Sequence, residues 1–254
     1  MELMRTHPVR LRILLRTFHG AHAPEPVRRR AETVAVVVEQ RVLRREASLG
    51  LIKLGRAPGG FAFDNELPAH DVVLSDFRID RAPVTWQRFL PFIEAGGYDD
   101  AHWWSDTGWA WRQRHSAGRP RYLSPPEGGA HQRIVFGHWQ ALDVAQPAVN
   151  LSLHEAEAWC RWAGRRLPTE AEWEIAALDR SEDFAWGQVW EWTASPFAPY
   201  PGFEPHPYRD YSQPWFDGRP VLRGASFATA PRMQHACYRN FFGAERNDIF
   251  AGFR

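Results

Sequence analysis

Histidine and cysteine side chains are the natural transition-metal ligands of this 254-residue chain. None of its eleven histidines lies four residues from another, the spacing that puts two imidazoles on one face of a helix. His19 and His22 are three residues apart and could also share a face, but the segment around them, FHGAHAPEP, contains prolines that would not continue a helix. The sequence therefore predicts no metal site, and a remnant site at His19 and His22 stays open as an alternative.

The two cysteines, Cys160 and Cys237, are too few for a disulfide framework. An unpaired cysteine is usually a small buried hydrophobe, and this is what we expect of Cys237. The sequence thus indicates a reduced chain without disulfides.

Four carboxylates near the middle of the chain could do acid–base chemistry. Glu170, Glu172 and Glu174 occupy alternate helix positions, which point to different faces, and the first two complement the positive helix N-terminus. Glu191 lies between two tryptophans and fits a strand with alternating faces. We therefore expect framework roles for all four.

Three helices are predicted to position these residues. Two of them begin with a capping box, a Ser or Thr followed three residues later by Glu, at Ser152 with Glu155 and at Thr169 with Glu172. The third follows Thr85, where apolar residues recur at helical spacing. Between the helices, short strand-like pieces such as residues 72–79 are separated by turn residues.

Composition excludes several classes of function. The formal net charge is +1 without a long one-signed block, so the chain has no electrostatic footprint for nucleic acid. No apolar run approaches the roughly twenty residues of a membrane span, and no segment at the start has the pattern of a cleavable signal. We expect a cytoplasmic protein with neither nucleic acid nor membrane as a partner.

A composition shift near Ser48 divides the chain. Residues 1–50 contain none of the thirteen tryptophans, whereas residues 51–254 are rich in Trp, Phe, Gly and Pro. We interpret residues 1–50 as a truncated or disrupted N-terminal segment and residues 51–254 as one compact, loop-rich domain.

Five segments in order carry a family resemblance: PVT at 83–85, QPAVNLS at 146–152, RRLPTEAEWEIAALDRSEDFAWGQVWEWT at 165–193, VLRGASF at 221–227 and GFR at 252–254. They resemble the formylglycine-generating-enzyme superfamily, also called sulfatase-modifying factor domains. The resemblance implies an α+β, C-type-lectin-like fold with little regular secondary structure and a Trp-rich core.

The superfamily contains copper-dependent oxidases, iron-dependent sulfoxide synthases of ergothioneine-type pathways, and binding or structural modules. The oxidases hold copper with two thiolates in a CYRYRC-like segment, and here that segment keeps Cys237 but has Phe242 in place of the second cysteine. A formylglycine-generating oxidase is therefore the least favoured branch.

Residues 64–98 and 193–228 resemble the carboxy-terminal domain of ergothioneine-type synthases. The short connection between Phe184 and Val189, with YRDYSQPWFDG at 208–218, resembles the selenoneine synthase subgroup more than the mycobacterial ergothioneine enzymes. The resemblance implies Fe(II), O2, the betaine hercynine and a thiol or selenol donor.

Within that resemblance, the family's catalytic Tyr-x-x-Tyr element matches Tyr208, as proton donor, and Tyr211, as a contact to substrate or water. Two aromatic turn residues packed on Trp215 are the structural alternative. A phenol can donate a proton at neutral pH without prior deprotonation.

The implied substrate-binding residues lie near the end of the chain. Asn240 and Phe241 match the pair that lines the betaine pocket, where an aromatic face can hold a quaternary ammonium. Phe242 replaces an acid that binds the ammonium of a gamma-glutamylcysteine donor, which favours another donor such as a selenosugar. Arg246 matches an arginine that contacts donor carboxylate, and an ordinary solvated arginine is the alternative.

The family's iron ligands lie on a preceding four-helix bundle of DinB type, two of them in a His-x3-His-x-Glu motif that this sequence lacks. The sequence leaves open a disrupted reading frame, a natural fragment, or a second chain that supplies the ligands. We expect the substrate-binding, proton-donating domain of a selenoneine or ergothioneine synthase, with a catalytically silent betaine-binding or structural module as the alternative.

Overall fold

The computed structural model describes residues 42–45, 50–57, 59–179 and 182–254. Most of residues 1–50, including His19 and His22, lie outside the described residues. The prediction of a truncated or disrupted N-terminal segment therefore falls outside them as well.

The described chain contains both helices and short strands, grouped along the sequence, which confirms the α+β class. The helices are α1 (Trp86–Glu94), α2 (Asp106–Arg114), α3 (Leu153–Trp162) and α4 (Glu170–Asp179). The strands are β1 (Val42–Arg45), β2 (Gly50–Leu54), β3 (His70–Leu74), β4 (Phe77–Asp80), β5 (Gln132–Val135), β6 (His138–Ala141), β7 (Trp190–Pro196), β8 (Pro220–Arg223), β9 (Asn240–Phe241) and β10 (Ala251–Gly252).

The largest described sheet has four strands in the order β10-β7-β8-β9. Strand β10 is parallel to β7, whereas β7, β8 and β9 are antiparallel. Three antiparallel pairs accompany it, β1 with β4, β2 with β3, and β5 with β6. Strand β1, in the first of these pairs, lies before residue 51, where the sequence predicts that the domain begins. That domain boundary stays a prediction.

Both predicted capping boxes are present. The Ser152 hydroxyl accepts from the Glu155 N–H at 3.2 Å, and the Glu155 carboxylate accepts from the Ser152 N–H at 2.8 Å. Thr169 and Glu172 exchange the same two bonds at 3.1 and 2.8 Å. Helices α3 and α4 thus begin where local chemistry dictates.

Two elements differ from the sequence prediction. Helix α2 was not predicted; Ser105 caps it by accepting from the Gly108 N–H at 3.1 Å. Residues 72–79 form parts of two strands rather than one, because β3 pairs with β2 and β4 pairs with β1.

The core is rich in aromatic residues and contains buried ion pairs. Trp173 and Trp192 are fully buried, and the Trp173 indole donates to Glu191 at 3.0 Å. Arg254 also donates to Glu191, with one bond at 2.5 Å. Strand β7 and Glu191 therefore belong to the framework, as predicted. Among the described helices, none is long and apolar enough to cross a membrane.

Candidate functional site

The Tyr-x-x-Tyr element forms a short 3₁₀ turn, Arg209–Tyr211, with Tyr208 just ahead of it. Tyr208 is 69% exposed, whereas Tyr211 is half-buried. The two tyrosines therefore occupy different environments. The indole of Trp215 donates to the Asp210 carbonyl and so closes the loop after the element.

Tyr211 belongs to a group of five rings from four segments of the chain. Its ring stacks on Phe63 with centroids 4.2 Å apart, and its hydroxyl oxygen lies 3.3 Å from that of Tyr238. Tyr238 packs at 5.2 Å on Trp190, and Tyr211 meets Phe241 edge-on at 6.4 Å. We call these rings the aromatic cluster: Phe63, Trp190, Tyr211, Tyr238 and Phe241.

Buried hydrogen bonds join the segment that carries Phe63 to the segment that carries Tyr211. The Ser212 hydroxyl donates to the Asp64 carboxylate and accepts from the Asn65 amide, the latter at 2.9 Å. The His206 N–H donates to the same carboxylate at 3.2 Å. Asp64, Asn65 and Ser212 are buried, so the loss of one would leave the others with unpaired polar atoms. These bonds therefore hold Phe63 and Tyr211 in their stacked arrangement.

Arg239 anchors the segment that carries Tyr238, Asn240 and Phe241. Its guanidinium is buried and donates to the Asn65 carbonyl at 2.7 Å and to the Ala198 carbonyl at 3.0 Å. Such a fork of donors fixes a backbone more firmly than a single contact does.

The structure brings the predicted betaine-binding pair next to Tyr211. Asn240 and Phe241 form β9, and the Asn240 side-chain oxygen accepts from the Phe241 N–H at 3.0 Å. One face of Phe241 is covered by Phe197, stacked at 4.1 Å. Phe197 therefore blocks that face of the ring to a ligand.

Phe242 and Arg246 lie apart from this pair, in a groove of about 440 Å³. The Arg246 guanidinium lies 5.1 Å from the Phe242 ring and makes two bonds to Asp248, at 2.6 and 2.9 Å. The groove is also lined by Asp217, Gly218, Arg219, Pro220, Gly243, Ala244 and Glu245. The predicted betaine-binding pair and the predicted donor-binding residues therefore occupy two neighbouring parts of the surface.

Burial favours the neutral form of both tyrosines in the pair. Burial, then the bond to Tyr238 and the charges of Glu66 and Asp64, raise the pKa of Tyr211. Burial also raises the pKa of Tyr238. Both hydroxyls can therefore donate a proton or hydrogen bond at neutral pH.

Cys237 lies beside the cluster but is not a thiolate. Its thiol approaches a Glu174 oxygen at 3.6 Å, and burial raises its pKa to about 12. Within the described ranges, no group of three or more His, Cys, Asp or Glu side chains could hold a metal ion. The described residues therefore do not fit the implied iron.

Several residues of the site escaped sequence reasoning. Phe63, Trp190 and Tyr238 come from distant segments and have no spacing signal. The buried acid Glu66 directly follows Asp64 and Asn65 and was not singled out either. Tyr238 lies inside the segment compared with the copper motif, and Trp190 flanks Glu191 inside residues 165–193, but neither pattern indicated a binding site.

The sulfatase-modifying factor enzyme 1-like domain matches residues 34–188 and 182–254. The chain belongs to this family. Hercynine oxygenase of Mycobacterium tuberculosis is 37% identical over 237 residues, which cover 76% of this chain and 55% of the relative. The chain thus spans about half the length of that sulfatase-modifying factor relative.

Two further proteins are similar to this chain, one in sequence and one in fold. Formylglycine-generating enzyme of Streptomyces coelicolor is 36% identical over 152 residues, 54% of this chain and 48% of the relative. Treponema denticola variable protein 1 has a similar fold, with a TM-score of 0.50 at 17% identity over 86% of this chain and 96% of that one. The second likeness concerns the fold alone.

Proposed function

We propose that this chain is the substrate-binding and proton-donating domain of a synthase that joins sulfur or selenium to hercynine. The proposal rests on one observation: Tyr211 contacts both Tyr238 and Phe241, next to Asn240. The likeness to hercynine oxygenases supports it, because their name states action on hercynine.

The aromatic cluster suits the betaine. Half-buried rings present π faces that attract a quaternary ammonium, and the Asn240 amide can donate to a carboxylate. Phe241 contributes through its side away from Phe197. We assign the trimethylammonium group to the cluster and the carboxylate to Asn240.

We assign proton donation to Tyr208, supported by Tyr211. Tyr208 is the exposed member, so a partner surface can bring the reacting atoms against it. The half-buried Tyr211 positions water or substrate through its hydroxyl pair with Tyr238. The same exposure of Tyr208 favours a second candidate, a catalytically silent betaine-binding module, if no partner covers it.

The groove beside the cluster is the proposed donor site. Phe242 offers no charge to a donor ammonium, and Arg246 lines the groove with its guanidinium over that ring. Because position 242 carries no acid for a donor ammonium, we favour a neutral, hydroxyl-rich selenol donor over gamma-glutamylcysteine. We therefore favour selenoneine over ergothioneine as the product.

We propose iron(II) and O2 on the family resemblance alone. The metal would supply oxygen activation when bound, and its ligands would come from outside the described residues or from a second chain. We place the protein in the cytoplasm and propose a C-type-lectin-like architecture for its fold, in keeping with the mixed helices and short antiparallel strands.

Calorimetry with the full chain tests the proposal. We expect hercynine to bind about tenfold more tightly than histidine, because only hercynine carries the quaternary ammonium that an aromatic cluster recognises. Phe241→Leu should weaken hercynine binding, whereas Phe136→Leu, the same change on an exposed hairpin turn, should not. Equal affinity for hercynine and histidine would refute the proposal.

A further inference from the structure

Glu66 is a buried acid without a hydrogen-bond partner. It ends the short 3₁₀ turn Asp64–Glu66, is fully buried, and neither of its carboxyl oxygens accepts a hydrogen bond from the described residues. A buried charge without a partner is costly, so such a group is neutral unless a cation comes near.

The nearest basic groups are too distant to hydrogen-bond Glu66, although Arg56 is within ion-pair range. Arg56 Nη1 lies 3.8 Å from one carboxyl oxygen, on a side chain that is 32% exposed, and His235 Nε2 lies 3.9 Å from the other. Burial lowers the pKa of His235 to about 4, so its imidazole is neutral at pH 7. Arg223, a third basic group nearby, is already bound to Glu174.

Burial dominates the ionisation of Glu66. It raises the pKa of this carboxyl to about 7, against the opposing effects of the Arg56 and Arg223 charges and of the Phe63 N–H. The other titratable groups that sense or face it are Glu174, Tyr211, Cys237 and Tyr238. Near neutral pH a nearby positive charge would therefore tip Glu66 from acid to carboxylate.

A positively charged ligand group would bind at the aromatic cluster, close to Glu66. Tyr238 packs at 5.9 Å on His235, which in turn faces Glu66, and Phe63 comes three residues before Glu66 in the same turn segment. Aromatic faces with a carboxylate behind them attract a quaternary ammonium more strongly than the rings alone.

We propose that Glu66 is the buried counter-charge for the quaternary ammonium of the betaine, and that binding of this cation releases a proton from Glu66. This inference rests on the proposed function. The Glu66 O–H bond breaks, its proton goes to solvent buffer, and a carboxylate–ammonium pair replaces a neutral acid. His235, with a side chain that is 27% exposed, lies between the acid and solvent.

Linkage fixes the sign of the pH dependence. Below pH 7 the free chain holds the proton and the complex does not, so affinity rises with pH and levels off above about pH 8. One proton released per ligand gives about a tenfold gain in affinity between pH 6 and pH 8.

Titration calorimetry with hercynine, in buffers of different ionisation enthalpy at pH 6 and pH 8, counts the protons. Hercynine has its own titrating imidazole, so the count of interest is the difference between the wild-type chain and Glu66→Gln. We expect a difference close to one proton at pH 6 and close to zero at pH 8. The wild-type advantage in affinity should grow about tenfold over the same interval.

Two further variants complete the design. Glu94→Gln makes the same change on an exposed acid of α1 and should match the wild type in protons and affinity. Glu66→Met fills a similar volume without a titratable group and should repeat the behaviour of Glu66→Gln if that variant fails to fold.

The outcomes separate the two proposals. If the wild-type chain does not bind hercynine, the proposed function fails. If it binds hercynine and Glu66→Gln shows the same proton count and the same affinity at both pH values, only the role of Glu66 is overturned.

Discussion

Arg239 makes two hydrogen bonds to Glu170, at 2.9 and 3.0 Å, in the buried interior. The guanidinium also lies 4.0 Å from the centre of the Tyr200 ring. This pair connects helix α4 to the segment that carries Tyr238 and Asn240. A carboxylate of the framework therefore holds the candidate site in place.

Removing this ion pair should make the folded protein less stable. Arg239→Leu leaves the buried Glu170 carboxylate with two more distant partners, the Tyr200 hydroxyl at 3.5 Å and Arg223 at 3.7 Å. We expect the free energy of unfolding to fall by about 3–5 kcal/mol. Urea titration measures the loss, and Lys53→Ala, which removes an exposed pair with Asp71, should cost no more than about 1 kcal/mol.

A loss for Arg239→Leu as small as that of Lys53→Ala would show that the pair is dispensable. Hercynine binding should also weaken in Arg239→Leu, since the segment of Asn240 loses its anchor. The Lys53→Ala chain supplies the reference affinity.

Local chemistry made part of this fold predictable from sequence. The capping boxes at Ser152 and Thr169 depend on residues three positions apart, so their signal survives in the sequence alone. The strand at Glu191 was predicted from another local pattern, the alternation of Trp190 and Trp192 on either side of it. Helix α2 was missed because its pattern is mixed, with Gly108 near its start and both Trp109 and Trp111 following.

The site was less predictable because long-range contacts assemble it. Tyr211 and Phe241 were found through family resemblance, whereas Phe63 joins them only because Asp64 and Ser212 meet across the fold. No local pattern marks Glu66, since its lack of a hydrogen-bond partner exists only once the chain is folded.

Stability should depend on pH through Glu66. Its pKa rises from 4.5 to about 7 on folding, so the stability it contributes is fully present below pH 4.5 and is lost as the pH rises through 7. Glu66→Gln lacks this loss. We expect the variant to gain on the order of 1–3 kcal/mol over the wild type between pH 4.5 and pH 8.

Chemical denaturation at several pH values measures this difference. Glu94→Gln, an exposed acid, should give a difference that stays flat with pH. A flat difference for Glu66→Gln as well would mean that Glu66 titrates normally in the folded protein.

Gly224 should tolerate no side chain. Its φ is +94°, and an added Cβ would lie 2.7 Å from Cζ2 of the buried Trp173 ring. Gly224→Ala combines left-handed strain with overlap in the core and should cost about 2–4 kcal/mol. Gly128, with φ +56° and open space around it, isolates the strain, and Gly128→Ala should cost about 1 kcal/mol. Thermal unfolding compares the two, and equal costs would exclude the overlap with Trp173.

Tyr208→Phe should separate turnover from binding. The phenylalanine ring keeps the shape of this exposed residue but removes the hydroxyl proton. Hercynine affinity should therefore stay within about twofold of the wild type. Turnover in the iron-loaded assembly should fall about 100-fold or more, because the proton donor is lost. Tyr122→Phe makes the same change on a half-buried residue that carries Arg121 on its ring, and should leave both quantities unchanged. If Tyr208→Phe stays active and Tyr211→Phe does not, the proton donor is Tyr211, whose hydroxyl already lies 3.3 Å from that of Tyr238.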